Sequence, residues 1–221
     1  MSEEKMQGVL QKMGTGREYR KTAMFEIRKD GDQEGAEESR IVEGYATVFD
    51  EPYLLYDWGD YAVYEIVDRA AFDDCDMTDV IMQYDHEGRV FARNANGTLE
   101  VTPDEKGLYV RADLSGTEAG RELYDEIKGG YTTKMSFGFR VAEDVREIKE
   151  IHETGRIEVT RKITKISKLY DVSAVSIPAN DATEISARNF GEGVIEEVKA
   201  ERLKRAKVER LRAECAAMLS L

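Results

Sequence analysis

Apolar and polar positions alternate through most of the chain, and the alternation predicts a succession of short strands. Phe25 and Ile27 alternate with charges and predict the first. Asp30 to Arg40 holds glycines, acids and little that is apolar, which predicts a loop. Ile41 to Phe49 is rich in β-branched and aromatic residues and predicts a second strand, bulged at Gly44. After the aromatic stretch Tyr53 to Tyr64, Tyr64 and Ile66 carry the chain inward, and Arg69 to Phe72 predicts one helical turn. Val80 to Tyr84 predicts a buried strand that delivers Asp85-His86-Glu87 to its end. Thr98 to Thr102 and Leu108 to Ala112 flank Pro103-Asp104-Glu105-Lys106-Gly107, the pattern of a hairpin.

One helix interrupts the strands. Ser115-Gly116-Thr117-Glu118 matches a capping box, and Ala119, Leu123, Tyr124 and Ile127 follow at helical spacing. Gly129-Gly130 ends the helix. Met135 to Phe139 is the next strand. Glu143 to Ile166 scatters apolar residues among charges and predicts an exposed hairpin that turns at Thr154-Gly155. Leu169 to Ile177 is apolar or small on both faces, the mark of a buried central strand, and Pro178 stops it.

The ends differ from the middle. Residues 1 to 18 are polar and predict a flexible tail. Gly191-Glu192-Gly193 suits a hinge, and Val194 to Leu221 lacks glycine and proline. As one helix that segment spans roughly 42 Å. Val194, Val198, Leu211, Cys215, Met218 and Leu219 give it an apolar stripe, for packing on its own domain or on a partner. The expected organisation is a tail (1–18), one β-barrel domain (19–190), and a hinge with an amphipathic helix (191–221). The expected fold class is mainly β with helices (α+β), a barrel or strongly curved sheet with helices around it.

Composition narrows the function. Of 221 residues 41% are hydrophobic, enough for a core, and 35% are charged. The net charge of −13 argues against nucleic acid as a partner, because phosphate contacts need a basic surface. No run of about 18 apolar residues exists to span a membrane. The acidic start, Ser2-Glu3-Glu4, does not suit a secretory signal, so the expected compartment is the cytoplasm. Two histidines and two distant cysteines, Cys75 and Cys215, make a zinc site improbable, so no metal is expected. There is no nucleotide-binding glycine loop, and no cofactor is expected.

The candidate chemistry lies on three segments. As a strand, Met135-Ser136-Phe137-Gly138-Phe139 sends its three large side chains to one face and Ser136 with Gly138 to the other. A hydroxyl on a rigid strand beside a residue without a side chain suits a nucleophile. His86 lies at a strand end, whereas His152 lies among charges in the hairpin. Asp171 is a carboxylate in an apolar strand, costly to bury unless paired. One reading makes it structural; the other has it orient His86, which takes the proton of Ser136. Backbone donors near Ala179 and Asn180 would hold the oxyanion. The acids around Cys75 disfavour a thiolate there. With 45 acidic residues, carboxylate pairs alone do not single out a glycosidase.

The order of these segments resembles the prohead (capsid maturation) proteases of tailed phages, which share a fold with the herpesvirus assembly proteases. The resemblance runs from about Gly44 to Asn180. It rests on Gly44-Tyr45-Ala46-Thr47-Val48-Phe49, the His86 segment and Gly97-Thr98-Leu99 leading to Asp104-Glu105-Lys106-Gly107-Leu108. The most specific words are Met135 to Phe139 and Leu169-Tyr170-Asp171-Val172-Ser173-Ala174-Val175-Ser176-Ile177-Pro178-Ala179-Asn180. The chain departs from the family at Arg69-Ala70, where Pro-Gly is common, and its charged hairpin is longer. The resemblance implies a small closed β-barrel surrounded by helices, with Ser136 as nucleophile, His86 as base and Asp171 as third member. It also implies cleavage of scaffolding and major capsid proteins, often of the protease itself, inside the procapsid in the host cytoplasm. A homodimer is expected by analogy with the herpesvirus enzymes. The alternatives are a catalytically silent scaffold or capsid-binding module of the same fold, and a hydrolase of general range.

Overall fold

The computed structural model describes residues 17–27, 40–57, 59–175, 195–196, 199–212 and 214–215. Ten strands join in one sheet: β1 (Glu18–Ile27), β2 (Ile41–Val48), β3 (Tyr53–Asp57), β4 (Tyr61–Val67), β5 (Ile81–Tyr84), β6 (Glu87–Arg93), β7 (Leu99–Pro103), β8 (Gly107–Asp113), β9 (Lys134–Ile151) and β10 (Arg156–Val175). The hairpin of β7 and β8 and the strands at Ile41, Ile81, Lys134 and Leu169 fall where the alternation predicts them. The helix α1 (Glu118–Lys128) follows β8. Its cap is Thr117, whose side chain accepts from Gly120 N at 3.0 Å, so Ser115 is not the capping residue. Leu123, Tyr124 and Ile127 turn inward from α1, and Gly130 takes a positive φ of 75° just beyond it. Arg69 to Phe72 makes overlapping turns instead of a helical turn, with Ala71 N to Asp68 O at 2.9 Å and Asp73 N to Ala70 O at 3.2 Å.

The expected closed barrel surrounded by helices is not what forms. The ladders run β3-β4-β10-β9-β1-β2-β8-β7, and β6-β5 branches off β10. No ladder among the described residues joins the ends. The cause is the length of β10. Its first half, Ile157 to Ile163, pairs in parallel with β4, and its last part, Asp171 to Ala174, pairs in parallel with β5. The sheet therefore forks at β10 instead of continuing round. Among the described residues helices do not enclose it either: α1 covers one part of the core, and the helical residues 199–212 lie near the outer hairpin, where Arg202 meets Glu150 at 2.5 Å. The protein is mainly β.

The main core lies on one face of β9 and β10. Met135, Phe137, Phe139, Leu169, Val172 and Ala174 are fully buried there, together with residues of β2, β8 and α1. The charged hairpin is less exposed than its composition suggests. Ile157 and Val159 pack with Val63 of β4 in a second cluster, because β4 covers that half of β10.

A buried ionic cluster holds β1 in place. Arg20 of β1 grips Glu65 of β4 with two bonds, at 2.5 and 2.8 Å, and meets Glu18 at 2.6 Å. Arg161 of β10 reaches Glu18 at 2.7 Å, Glu65 at 3.1 Å and Asp144 of β9 at 2.7 Å. The Tyr53 hydroxyl also bonds Glu65. Arg20, Glu65 and Arg161 are 2% exposed or less, so each charge depends on its partners for the solvation it has lost.

Two outcomes follow from this cluster. Glu65→Ala removes the fully buried one of the two carboxylates that Arg20 and Arg161 share, leaving Glu18 alone between two buried guanidinium groups, and should lower the unfolding free energy in a denaturant titration by about 3–5 kcal/mol. For Glu18, burial favours the neutral acid, but Arg20 and Arg161 outweigh it and hold the carboxyl below its ordinary value of 4.5. A carboxyl lowered on folding stabilises the protein above its unfolded pKa and loses that contribution as the pH falls through the folded one. The stability gap between wild type and Glu18→Gln should therefore be widest above pH 4.5 and close on acidification, as read by melts across that range.

Candidate active site

The three residues singled out in the sequence meet on the face of the sheet opposite the main core. Ser136 stands on β9 between β1 and β10, with Lys21 and Ser173 as its backbone register partners. Its neighbours Met135 and Phe137 point into the core, as the alternation requires.

Asp171 reaches the same face through an irregularity in β10. Leu169 pairs with Phe139 and Asp171 with Gly138, so Tyr170 is an extra residue on β10. Leu169 and Val172 both point into the core although they are three residues apart, an odd spacing that unbroken alternation would send to opposite faces. The bulge at Tyr170 absorbs the change of parity and turns Asp171 to the face that carries Ser136.

His86 arrives from the other direction. Tyr84 of β5 pairs with Glu87 of β6, leaving Asp85 and His86 as the two residues of a tight hairpin. Both have positive φ, 47° and 63°, the signature of a type I′ turn. Such corners usually go to asparagine or glycine, so an imidazole here is held at a cost of roughly 1–2 kcal/mol. Asp85 N donates to Ala174 O at 2.8 Å and ties the turn to β10. His86 therefore sits in the turn itself, not on the strand end that the pattern suggests.

The side chains form one line. His86 Nδ1 lies 2.5 Å from Asp171 Oδ2, and His86 Nε2 lies 2.6 Å from Ser136 Oγ. A carboxylate can only accept, so Nδ1 carries the ring proton; the neutral ring then accepts at Nε2 from the serine hydroxyl. Ser136 and Asp171 have no exposed surface, and the His86 side chain is 7% exposed. Exclusion of water strengthens the bonds of the line.

Asp171 has two further partners that sequence reasoning missed. Ser173 Oγ donates to Asp171 Oδ2 at 2.7 Å, and Arg17 Nη2 forms an ion pair with Oδ1. Arg17 also lies over the Tyr170 ring, 4.6 Å from its centre. The period of two places Ser173 on the same strand face as Asp171, so it was within reach of the sequence pattern. Arg17 was not: it belongs to the segment predicted as a tail. His152 lies in the distant turn between β9 and β10 and joins none of this. Cys75 is also apart from the site, and burial pushes its thiol up to about 11. Ala179 and Asn180, the expected oxyanion donors, lie outside the described residues.

A β sheet that lines up a hydroxyl, an imidazole and a carboxylate in this way has the arrangement of a serine protease. The sequence matches the caudovirus prohead serine protease family, Peptidase S78, over residues 24–198, and the chain belongs to that family. No curated protein matches it. Among solved structures it is similar to the bacteriophage T4 capsid assembly protease. Identity is 12%, the match covers 73% of this chain and 98% of that one, and the TM-score is 0.39.

The turn geometry makes a stability prediction independent of activity. His86→Gly and His86→Ala both remove the imidazole, but alanine keeps a Cβ at positive φ. The glycine variant should be the more stable of the two by about 1 kcal/mol in urea titrations. Equal stabilities would mean that the corner carries no strain.

Proposed function

We propose that this chain is a serine endopeptidase that cleaves scaffolding and major capsid precursor proteins, and itself, during maturation of a phage prohead. The observation that carries the reading is the unbroken line from Ser136 Oγ through the His86 ring to Asp171. Membership of a prohead protease family supports this class of substrate.

In this reading Ser136 Oγ attacks the carbonyl carbon of the scissile bond. His86 Nε2 takes the hydroxyl proton and then delivers it to the departing amine. Water then gives a proton to the same nitrogen as its oxygen bonds the acyl carbon; the Ser136 Oγ–carbon bond breaks, and His86 Nε2 returns the proton to Ser136 Oγ. Asp171 keeps the proton of the neutral ring on Nδ1 and stabilises the imidazolium between the two transfers. General-base assistance of this kind is worth about 10²–10⁴ in rate. The capsid maturation role places the work inside the assembling procapsid.

Coexpression with the capsid precursor of the same phage tests the reading. Wild type should shorten the precursor, and intact-mass spectrometry should locate the cut. Ser136→Ala should leave the precursor whole; processing that survives in that variant would remove Ser136 from its role. Asp171→Asn should fold yet process on the order of ten thousandfold more slowly, because an amide no longer holds the ring proton on Nδ1.

A further inference from the structure

We propose that Ser173 is a positioning residue for the reaction, holding the Asp171 carboxylate in the orientation that His86 needs. The inference rests on the triad reading above and extends it by a fourth residue.

Three observations carry it. Ser173 Oγ donates to Asp171 Oδ2, the same oxygen that His86 Nδ1 approaches, at 2.7 Å. Ser173 has no exposed surface, so its hydroxyl takes its partner from the protein and not from bulk water. Ser173 is also the direct cross-strand partner of Ser136. Neighbours of that kind have Cβ atoms roughly 4.5–5.5 Å apart on one face of a sheet.

The second torsion of an aspartate is broad and does not choose an orientation by itself. Here Ser173 fixes Oδ2 from along its own strand, while the Arg17 charge lies against Oδ1. With Oδ2 held, its remaining acceptor direction faces Nδ1 of His86.

A merely structural Ser173 would satisfy its own hydroxyl and affect folding alone, so the test needs a chemical readout. A small fluorophosphonate supplies one without knowledge of the natural substrate. Ser136 Oγ bonds to phosphorus, fluoride leaves, and the serine proton passes to His86. In wild type the label should appear on Ser136 with a saturable rate, and Ser136→Ala should take none. In Ser173→Ala the maximal labelling rate should fall on the order of tenfold, the scale of one lost bond to a charged group, while half-saturation stays put. Ser173→Thr, which keeps the hydroxyl, should recover to within about threefold of wild type. The far-downfield proton NMR signal of the His86 Nδ1–H bond should be sharp in wild type and Ser173→Thr and shifted or broadened in Ser173→Ala.

Labelling of Ser173→Ala at the wild-type rate, with its NMR signal unmoved, overturns the proposal and leaves the triad standing. A lower melting temperature without a change in either readout overturns it too, by making Ser173 structural. Wild type that takes no label at Ser136 overturns the triad reading first, and the role of Ser173 with it.

Discussion

Everything at the candidate site depends on the register of β9 against β10. Antiparallel pairing brings Ser136 opposite Ser173 and Gly138 opposite Asp171. The alternating geometry of the two strands then sorts side chains by size: Met135, Phe137, Leu169 and Val172 to one face, and two hydroxyls, one carboxylate and a glycine to the other. A slip by one residue would exchange the faces. The extra residue at Tyr170 is such a slip, confined to one point, and without it Leu169 and Asp171 would share a face. The apolar core therefore enforces the site, because the register that buries the large side chains is the register that aligns the polar ones.

The remaining parts of the sheet hold that ladder from outside. On the β10 side, β5 pairs with the strand carrying Asp171 and returns through the tight turn that carries His86. On the β9 side, β1 pairs along the strand carrying Ser136. What seats β1 is electrostatic: Arg20 and Glu18 join Glu65 and Arg161 in a cluster with almost no exposure. Charges sealed from water tolerate little displacement, since each loses both solvent and partner when it moves. Arg17, just before β1, meets the Asp171 carboxylate, so the strand seated by one ionic cluster ends at the site's own ion pair.

Legibility in the sequence followed the range of the interaction. Strand faces at Met135 to Phe139 and the helix spacing of Leu123, Tyr124 and Ile127 are local periodicities, and they were readable residue by residue. The capping residue was misplaced by two, because Ser115 and Thr117 both offer a hydroxyl near the helix start and only backbone geometry selects Thr117. The charges and the turn of the Glu143 to Ile166 hairpin predict an exposed element, and its partial burial is not legible in them. Nothing in its own residues says that β4 lies alongside Ile157 to Ile163. The barrel failed for a related reason: strand count is local information, whereas closure depends on which strands a 20-residue β10 pairs with along its length.

The sequence by itself determined that Ser136 lies on the side of its strand away from the large apolar residues, that Asp171 interrupts an apolar run, and that one of two histidines follows a buried strand. Those statements need only the period of a strand and the cost of burying a charge. The tertiary structure alone decided that the three meet, that His86 occupies a left-handed turn corner, and that Ser173 and Arg17 share the carboxylate. It also decided that Arg20 and Arg161 are neutralised by Glu18 and Glu65. These are contacts between residues separated by up to 154 positions, as Arg17 and Asp171 are. They are set by pairing register and by the mutual need of buried charges, and neither is written in the local pattern of either partner.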